Sequence, residues 1–265
     1  MLLTIKHTSR YQYDFPVQYA VQRLRLHPSS SPGQKVIDWA VTVHGAEQEA
    51  NYRDGYGNRT QLVRLNRDAK ELVIEAAGQV ETEDRSGVLG KVYNFMPIWL
   101  YERETALTKP GDAVRQLAAS LKVKDDKLAL MHELMDTLHS AVAYTPGTTD
   151  IATTAEEALT LGTGVCQDHT HVFLAVARVL KIPARYVSGY LMMLDSIEQT
   201  ATHAWAEAHI DGLGWVGFDA ANNICPNEHY VRIACGLDYN EASPISGMRF
   251  GPGMESLAVD LNVEQ

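Results

Sequence analysis

Over the first hundred residues, apolar and polar side chains alternate one by one. Leu3, Ile5 and His7 fall on one side and Thr4, Lys6 and Thr8 on the other, which is the period of a β-strand. The segments VQRLRLHP (21–28), VIDWAVTVH (36–44), RTQLVRL (59–65) and ELVIEAAGQVE (71–81) repeat the pattern. Turn-forming clusters separate them: SSSPG at 29–33, and DGYGN at 54–58, which predicts a hairpin loop. Short strands at near-regular spacing with turns between them predict an antiparallel sheet or sandwich. No catalytic grouping falls in this half, whose expected role is structural or substrate-presenting.

Near residue 105 the period changes. KPGDAVRQLAASL (109–121) offers a Pro suited to a helix's first turn, followed by an acidic residue. DDKLALMHELMDTLHSAVAY (125–144) carries Leu128, Met131, Leu134 or Met135, Leu138 and Val142 at helical spacing. TTAEEALTLG (153–162) holds a capping box, Thr154 to Glu157, and a Gly stop. GTGVCQDHTHVFLAVARVLKIP (162–183) is a glycine loop running into an apolar helix that Pro183 ends. Two strands, 184–193 and 203–210, come next, then a DGLG turn (211–214) and a return strand, 215–220. Helices followed by strands predict an α+β fold. The expected division is a β-rich N-terminal domain, 1–105, and a catalytic domain, 106–265.

Composition narrows the function classes. The 265 residues are 45% hydrophobic and 21% charged, which excludes a disordered chain. The formal net charge of −10 argues against a phosphate backbone or an anionic membrane surface as partner. The most apolar run, 172–180, contains an Arg and falls far short of the ~20 residues a bilayer span needs. The N-terminus does not read as a secretory signal. Three cysteines, at 166, 225 and 235, make no disulfide framework. Cys225 and Cys235 could pair, but a reduced cytoplasmic chain is the simpler expectation.

Cys166 is the most informative residue. Gly162 and Gly164 precede it and an apolar helix follows, so its sulfur belongs to a helix's first turn. Free N–H groups and the helix dipole there favour a thiolate and can hold an oxyanion. A cysteine nucleophile needs a base, and the base an orienting partner. His203 opens one strand of the 203–220 hairpin and Asp219 closes the other. If the loop is Asp211–Gly212–Leu213, Ile210 pairs with Gly214, and His203 and Asp219 share a face as diagonal neighbours ~7–8 Å apart or less. A two-residue loop would put them on opposite faces.

Other residues compete with these. His169 shares a helix face with Cys166 and reads as a packed core histidine, or, with Cys166 and His203, as a metal site that lacks any C-x-x-C spacing. Asp168 fits the acidic first turn of any helix, where it would oppose a thiolate at Cys166. His209, at the turn end of its strand, is expected to be solvated, and Trp205 and Trp215 to be sheet-face packing. Tyr144 is a weak oxyanion candidate beside the backbone N–H of Cys166.

The blocks GTGVCQDHTHVFLAVARVLKIPARYVSGYL and HAWAEAHIDGLGWVGFDAANN resemble the bacterial transglutaminase-like superfamily, which shares the papain-like cysteine-protease core. The tail HYVRIACGLDYNEASPISG (229–247) and the first 80 or so residues resemble segments that accompany that core in bacterial members. The resemblance implies a β-sandwich-like N-terminal region and a nucleophile helix on an antiparallel sheet. It also implies a Cys166–His203–Asp219 triad and acyl transfer from an amide through a thioester, with no cofactor. The calcium sites of animal transglutaminases have no recognisable counterpart in the sequence, and no metal is expected. AANN follows Asp219 where many relatives have a Pro-Thr pair, a departure in the substrate-side loop.

The leading expectation is a cytoplasmic cysteine hydrolase of protease or amidase type, taking a peptide or other amide substrate. The alternatives are a transglutaminase joining an amine to a carboxamide, and an inactive binding or scaffold protein on the same fold. A zinc hydrolase is a third, and stoichiometric metal in purified protein would distinguish it.

Overall fold

The computed structural model describes residues 1–92, 96–122, 125–193 and 201–265, and the backbone of 198–199. The alternating N-terminal segments form β1 (Leu2–Tyr13), β2 (Tyr19–His27), β3 (Gln34–His44), β4 (Ala46–Arg53), β5 (Arg59–Leu65) and β6 (Glu71–Thr82). Leu3, Ile5, His7, Ser9, Tyr11 and Tyr13 of β1 are all buried and the residues between them are not, as a half-buried strand requires. β4 was not expected from the sequence. AEQEANYR has no buried position, because β4 is an outer strand paired only with β5 through the 54–58 turn.

Next come β7 (Val88–Gly90), a 3₁₀ turn (Ile98–Glu102), α1 (Asp112–Ser120), α2 (Lys127–Ala141), β8 (Ala143–Tyr144), α3 (Ala155–Leu161), β9 (Thr163–Gly164) and α4 (Cys166–Val179). β10 (Ala184–Leu191), β11 (Glu198–Gln199), β12 (His203–Ile210), β13 (Gly214–Phe218), β14 (Tyr230–Gly236), α5 (Tyr239–Ala242), β15 (Ile245–Phe250) and β16 (Glu255–Glu264) complete the chain. The predicted capping box at Thr154 and Glu157 starts α3, and Gly162 ends it. Pro110 lies outside α1 rather than in its first turn. The carboxylate of Glu156 in α3 accepts from the N–H groups of Gly111, Ala113 and Val114, so the cap comes from another helix.

Two antiparallel sheets, β11-β16-β1-β6-β3 and β15-β2-β5-β4, close on a shared core of Leu3, Ile5, Leu24, Val63, Ile74, Val80 and Val263. A third sheet, β14-β10-β12-β13-β7, carries α4 on one face. Val172, Phe173, Leu174, Ala175, Val176 and Ala177 of α4 are fully buried between this sheet and the other helices. A helix buried all round is fixed in position, and so is its first residue.

The division at 105 does not describe how the strands pair. β7 joins the third sheet beside β13, while β15 and β16, near the C-terminus, pair with β2 and β1. The architecture is α+β, an N-terminal antiparallel sandwich joined to a nucleophile-type helix packed on an antiparallel sheet. Among the described residues, no helix is long and apolar enough to cross a membrane.

Candidate active site

α4 begins at Cys166, after an extended Val165. Asp168, three residues on, turns its carboxylate back and accepts from the N–H of Val165 at 2.7 Å and from the Thr149 hydroxyl at 2.7 Å. Asp168 therefore caps the helix start. Gly164 has to be glycine, because a Cβ there would meet the Asp168 carboxylate at under 3 Å. Among the described residues the N–H of Cys166 has no acceptor in the protein, as expected of a first helical residue. β8 and β9 form a short parallel pair that ties the end of α2 to the start of α4, and this sets Tyr144 beside the thiol.

The hairpin has the register that a three-residue loop dictates. Ile210 pairs with Gly214 and Ala206 with Phe218. Gly214, at φ +87°, lies against the backbone of Gly90 with no room for a Cβ. His203 and Asp219 share a face, and His203 Nε2 is 2.6 Å from Asp219 Oδ2. That leaves Nδ1 as the ring nitrogen free to serve the Cys166 thiol, which lines the same cleft as His203 and helps to raise its pKa. All three predicted residues therefore meet.

Burial alone would lower the His203 pKa. The hydrogen bonds and charge of Asp219, and then of Cys166, outweigh it and push it up to about 10. Burial would likewise raise Asp219, but the hydrogen bond and charge of His203, with Asn222 and Tyr230, hold it below its ordinary value. An imidazolium between two partners is the charge pattern both shifts describe.

Asn222 and Tyr230 were not found from the sequence. Asn222 Nδ2 and the Tyr230 hydroxyl each donate to Asp219 Oδ2 at 2.7 Å, while the N–H groups of Ala221 and Asn222 donate to Oδ1. The AANN departure thus supplies an anchor for the carboxylate. Trp205 is buried, as expected of sheet-face packing, and also lies nearly parallel to the His203 ring at 6.3 Å, with Tyr230 edge-on to it at 5.4 Å.

The competing histidines are used elsewhere. His169 places Nδ1 2.9 Å from the Val165 carbonyl and Nε2 2.9 Å from the Val142 carbonyl, so its ring serves the backbone. His209 is half-buried against Trp215 rather than solvated, and burial lowers its pKa. All three cysteines are unpaired.

A cleft of about 520 Å³ opens at the thiol, lined by Cys166, His203, Tyr144, Tyr186, Ser188 and Tyr239 among others. The Tyr186 ring is buried between His171 and Tyr239. Burial, followed by the nearby Cys166, raises the pKa of Tyr186, so this phenol stays protonated and able to donate into the cleft.

A cysteine on a helix start, facing a histidine and an acid on a sheet, is the arrangement of papain-like folds. The family model for the bacterial transglutaminase-like N-terminal region matches residues 3–81, and that of the transglutaminase-like superfamily matches 115–220. The chain belongs to this transglutaminase-like superfamily. An uncharacterized protein of Mycobacterium leprae is 28% identical over 98% of both chains. One of Mycobacterium tuberculosis is 26% identical over 98% of this chain and 91% of its own. A crystal structure of a candidate cysteine protease from Cytophaga hutchinsonii superposes with a TM-score of 0.78 at 23% identity, covering 100% of this chain and 91% of that one, which shows a shared fold.

Proposed function

We propose that this protein is a cysteine hydrolase of protease or amidase type that acts on a peptide or other carboxamide through a thioester. The observation that carries this reading is His203, 2.6 Å from Asp219, lining one cleft with the Cys166 thiol. The thiolate of Cys166 attacks the amide carbon, and the N–H of Cys166 receives the oxyanion. Collapse breaks the C–N bond, and the imidazolium of His203 gives its proton to the leaving amine. Neutral His203 then takes a proton from water, whose oxygen attacks the thioester. Breaking the C–S bond then releases the acid and the Cys166 thiolate, and the proton taken from water stays on His203, which restores the thiolate–imidazolium pair. Asp219, held by Asn222 and Tyr230, fixes the ring and balances its charge throughout.

A cytoplasmic setting is part of this reading, and the acidic net charge favours neither nucleic acid nor an anionic membrane as partner. The test is incubation with a thiol-directed activity probe, followed by assays on peptide, γ-glutamyl and cell-wall-type amides. The reading expects labelling of Cys166, amine release, and loss of both in Cys166→Ala. Incorporation of an added primary alkylamine in preference to water would make the enzyme a transglutaminase instead. Labelling no faster than that of a free thiol, with no amide turned over, would favour a scaffold.

A further inference from the structure

Tyr239 lines the catalytic cleft and also a second cleft, of about 550 Å³, at the junction of the sandwich and the third sheet. The second cleft is bordered by β15 from Ile245 to Arg249, by Ile151 from the loop that follows Tyr144, and by Asn240 and Ser243. Its position between the sheets results from the return of β15 to pair with β2.

Three features of this cleft point to a ligand. First, β15 is the outer strand of its sheet, and among the described residues its second edge pairs with nothing. An open strand edge presents N–H and C=O groups that an added strand can satisfy. Gly247 sits in the middle of this stretch. A Cβ there would meet the Val21 carbonyl at 2.5 Å, so glycine lets the strand lie close against β2. Second, the Ser243 hydroxyl borders the cleft in a residue only 2% exposed, and among the described residues it has no hydrogen-bond partner. A buried hydroxyl left unpaired is costly, and a ligand polar group would satisfy it. Third, Met248 and Ile151 are each 68% exposed on the rim, which is unusual for large apolar side chains that border one depression.

We propose that this junction cleft is the second half of the substrate site and receives an extended polypeptide, laid as an added strand along β15 and continuing past Tyr239 to the scissile amide. The inference rests on the hydrolase reading and names its substrate class. Backbone pairing along β15 supplies binding that is tolerant of sequence, while Met248 and Ile151 grip apolar side chains and Ser243 takes one polar group. The N-terminal sandwich then presents substrate to Cys166, the role the sequence left open for it.

The experiment compares two substrates with the same scissile amide, one a blocked dipeptide amide and one a twelve-residue peptide. Wild type is compared with Met248→Glu, Ile151→Asp and Ser243→Ala, each checked for an unchanged melting temperature. The expected result is a fall of roughly tenfold or more in kcat/KM for the long peptide in the two rim variants, with the short amide unaffected. In parallel, binding of the fluorescent long peptide to Cys166→Ala protein is expected to weaken by a similar factor when Met248→Glu is added. That second readout separates the two ideas, because peptide binding at the junction is measured even if no amide is turned over. Equal effects on both substrates, no effect on either, or unaltered peptide binding would overturn the proposal. So would self-association through β15, seen by sedimentation as a dimer that Met248→Glu dissociates.

Discussion

Five hydrogen bonds converge on the Asp219 carboxylate, from His203, Asn222 Nδ2, Tyr230 and the N–H groups of Ala221 and Asn222. Each bond to a charged group contributes ~1.5–3 kcal/mol. Tyr230→Phe keeps the ring beside Trp205 and removes one of them. The expected outcome is a fall in kcat of roughly tenfold with KM little changed, measured by steady-state kinetics. Charge sets a second expectation. His203 moves from 6.5 to about 10 in the fold, so its contribution to stability is complete below pH 6.5 and disappears as the pH rises through about 10. The gap in urea midpoint between wild type and His203→Gln should therefore shrink across that window. Turnover of amides should fall over the same upper range, because the leaving amine then loses its acid. Cys166, His203 and Asp219 were legible in the sequence because a helix start and two strand ends carried them. Asn222 and Tyr230 were not, since they reach Asp219 from a turn and from β14, which is not hydrogen-bonded to β13.

Elements position these residues through register. The three-residue loop 211–213 puts His203 and Asp219 on one face, and a loop one residue shorter reverses one strand. Deleting Leu213 is expected to lower activity by about 10⁴-fold, as for loss of a triad member, while circular dichroism shows the sheet retained. The nucleophile helix depends on its neighbours in a similar way. Glu156 holds α1 by three N–H groups, and although burial opposes its charge, those bonds keep its pKa below the ordinary value. Its contribution is therefore present above that ordinary value and is lost on acidification. Glu156→Ala should cost about 1 kcal/mol in denaturant unfolding near neutral pH, within the range for a helix cap. The sequence could not show this cap, because its two halves lie more than forty residues apart.

At the scale of the molecule, the two halves are interlocked by strands. β7 extends the sheet that carries His203, and β15 and β16 return to the sandwich. Within the third sheet, Glu207 is buried with Arg185 Nε at 2.6 Å and Arg232 Nε at 3.1 Å, while Arg185 also lies 3.9 Å over the Trp215 ring. Removing the central charge leaves two guanidiniums facing each other in the interior, and Glu207→Gln should destabilise the protein by about 3–5 kcal/mol in equilibrium unfolding. A fragment of 106–265 lacks β1, β2 and β7. It is expected to lose cooperative thermal unfolding, because β15 loses its partner β2 and β16 keeps only its short pairing with β11. The strand period revealed the sandwich from residues 3 to 81, but the return of 245–264 is a contact across the whole chain that no local pattern encodes. β4 escaped for the opposite reason, as an outer strand with no buried face.

In the proposed mechanism the imidazole of His203, held by Asp219, keeps the Cys166 sulfur ready to react. The most direct test is the rate of iodoacetamide alkylation of Cys166 at neutral pH in wild type, His203→Ala and Asp219→Asn, followed by mass spectrometry of the 166 peptide. The wild-type rate is expected to exceed that of His203→Ala by roughly tenfold or more, with Asp219→Asn in between. Equal rates in all three proteins would contradict it.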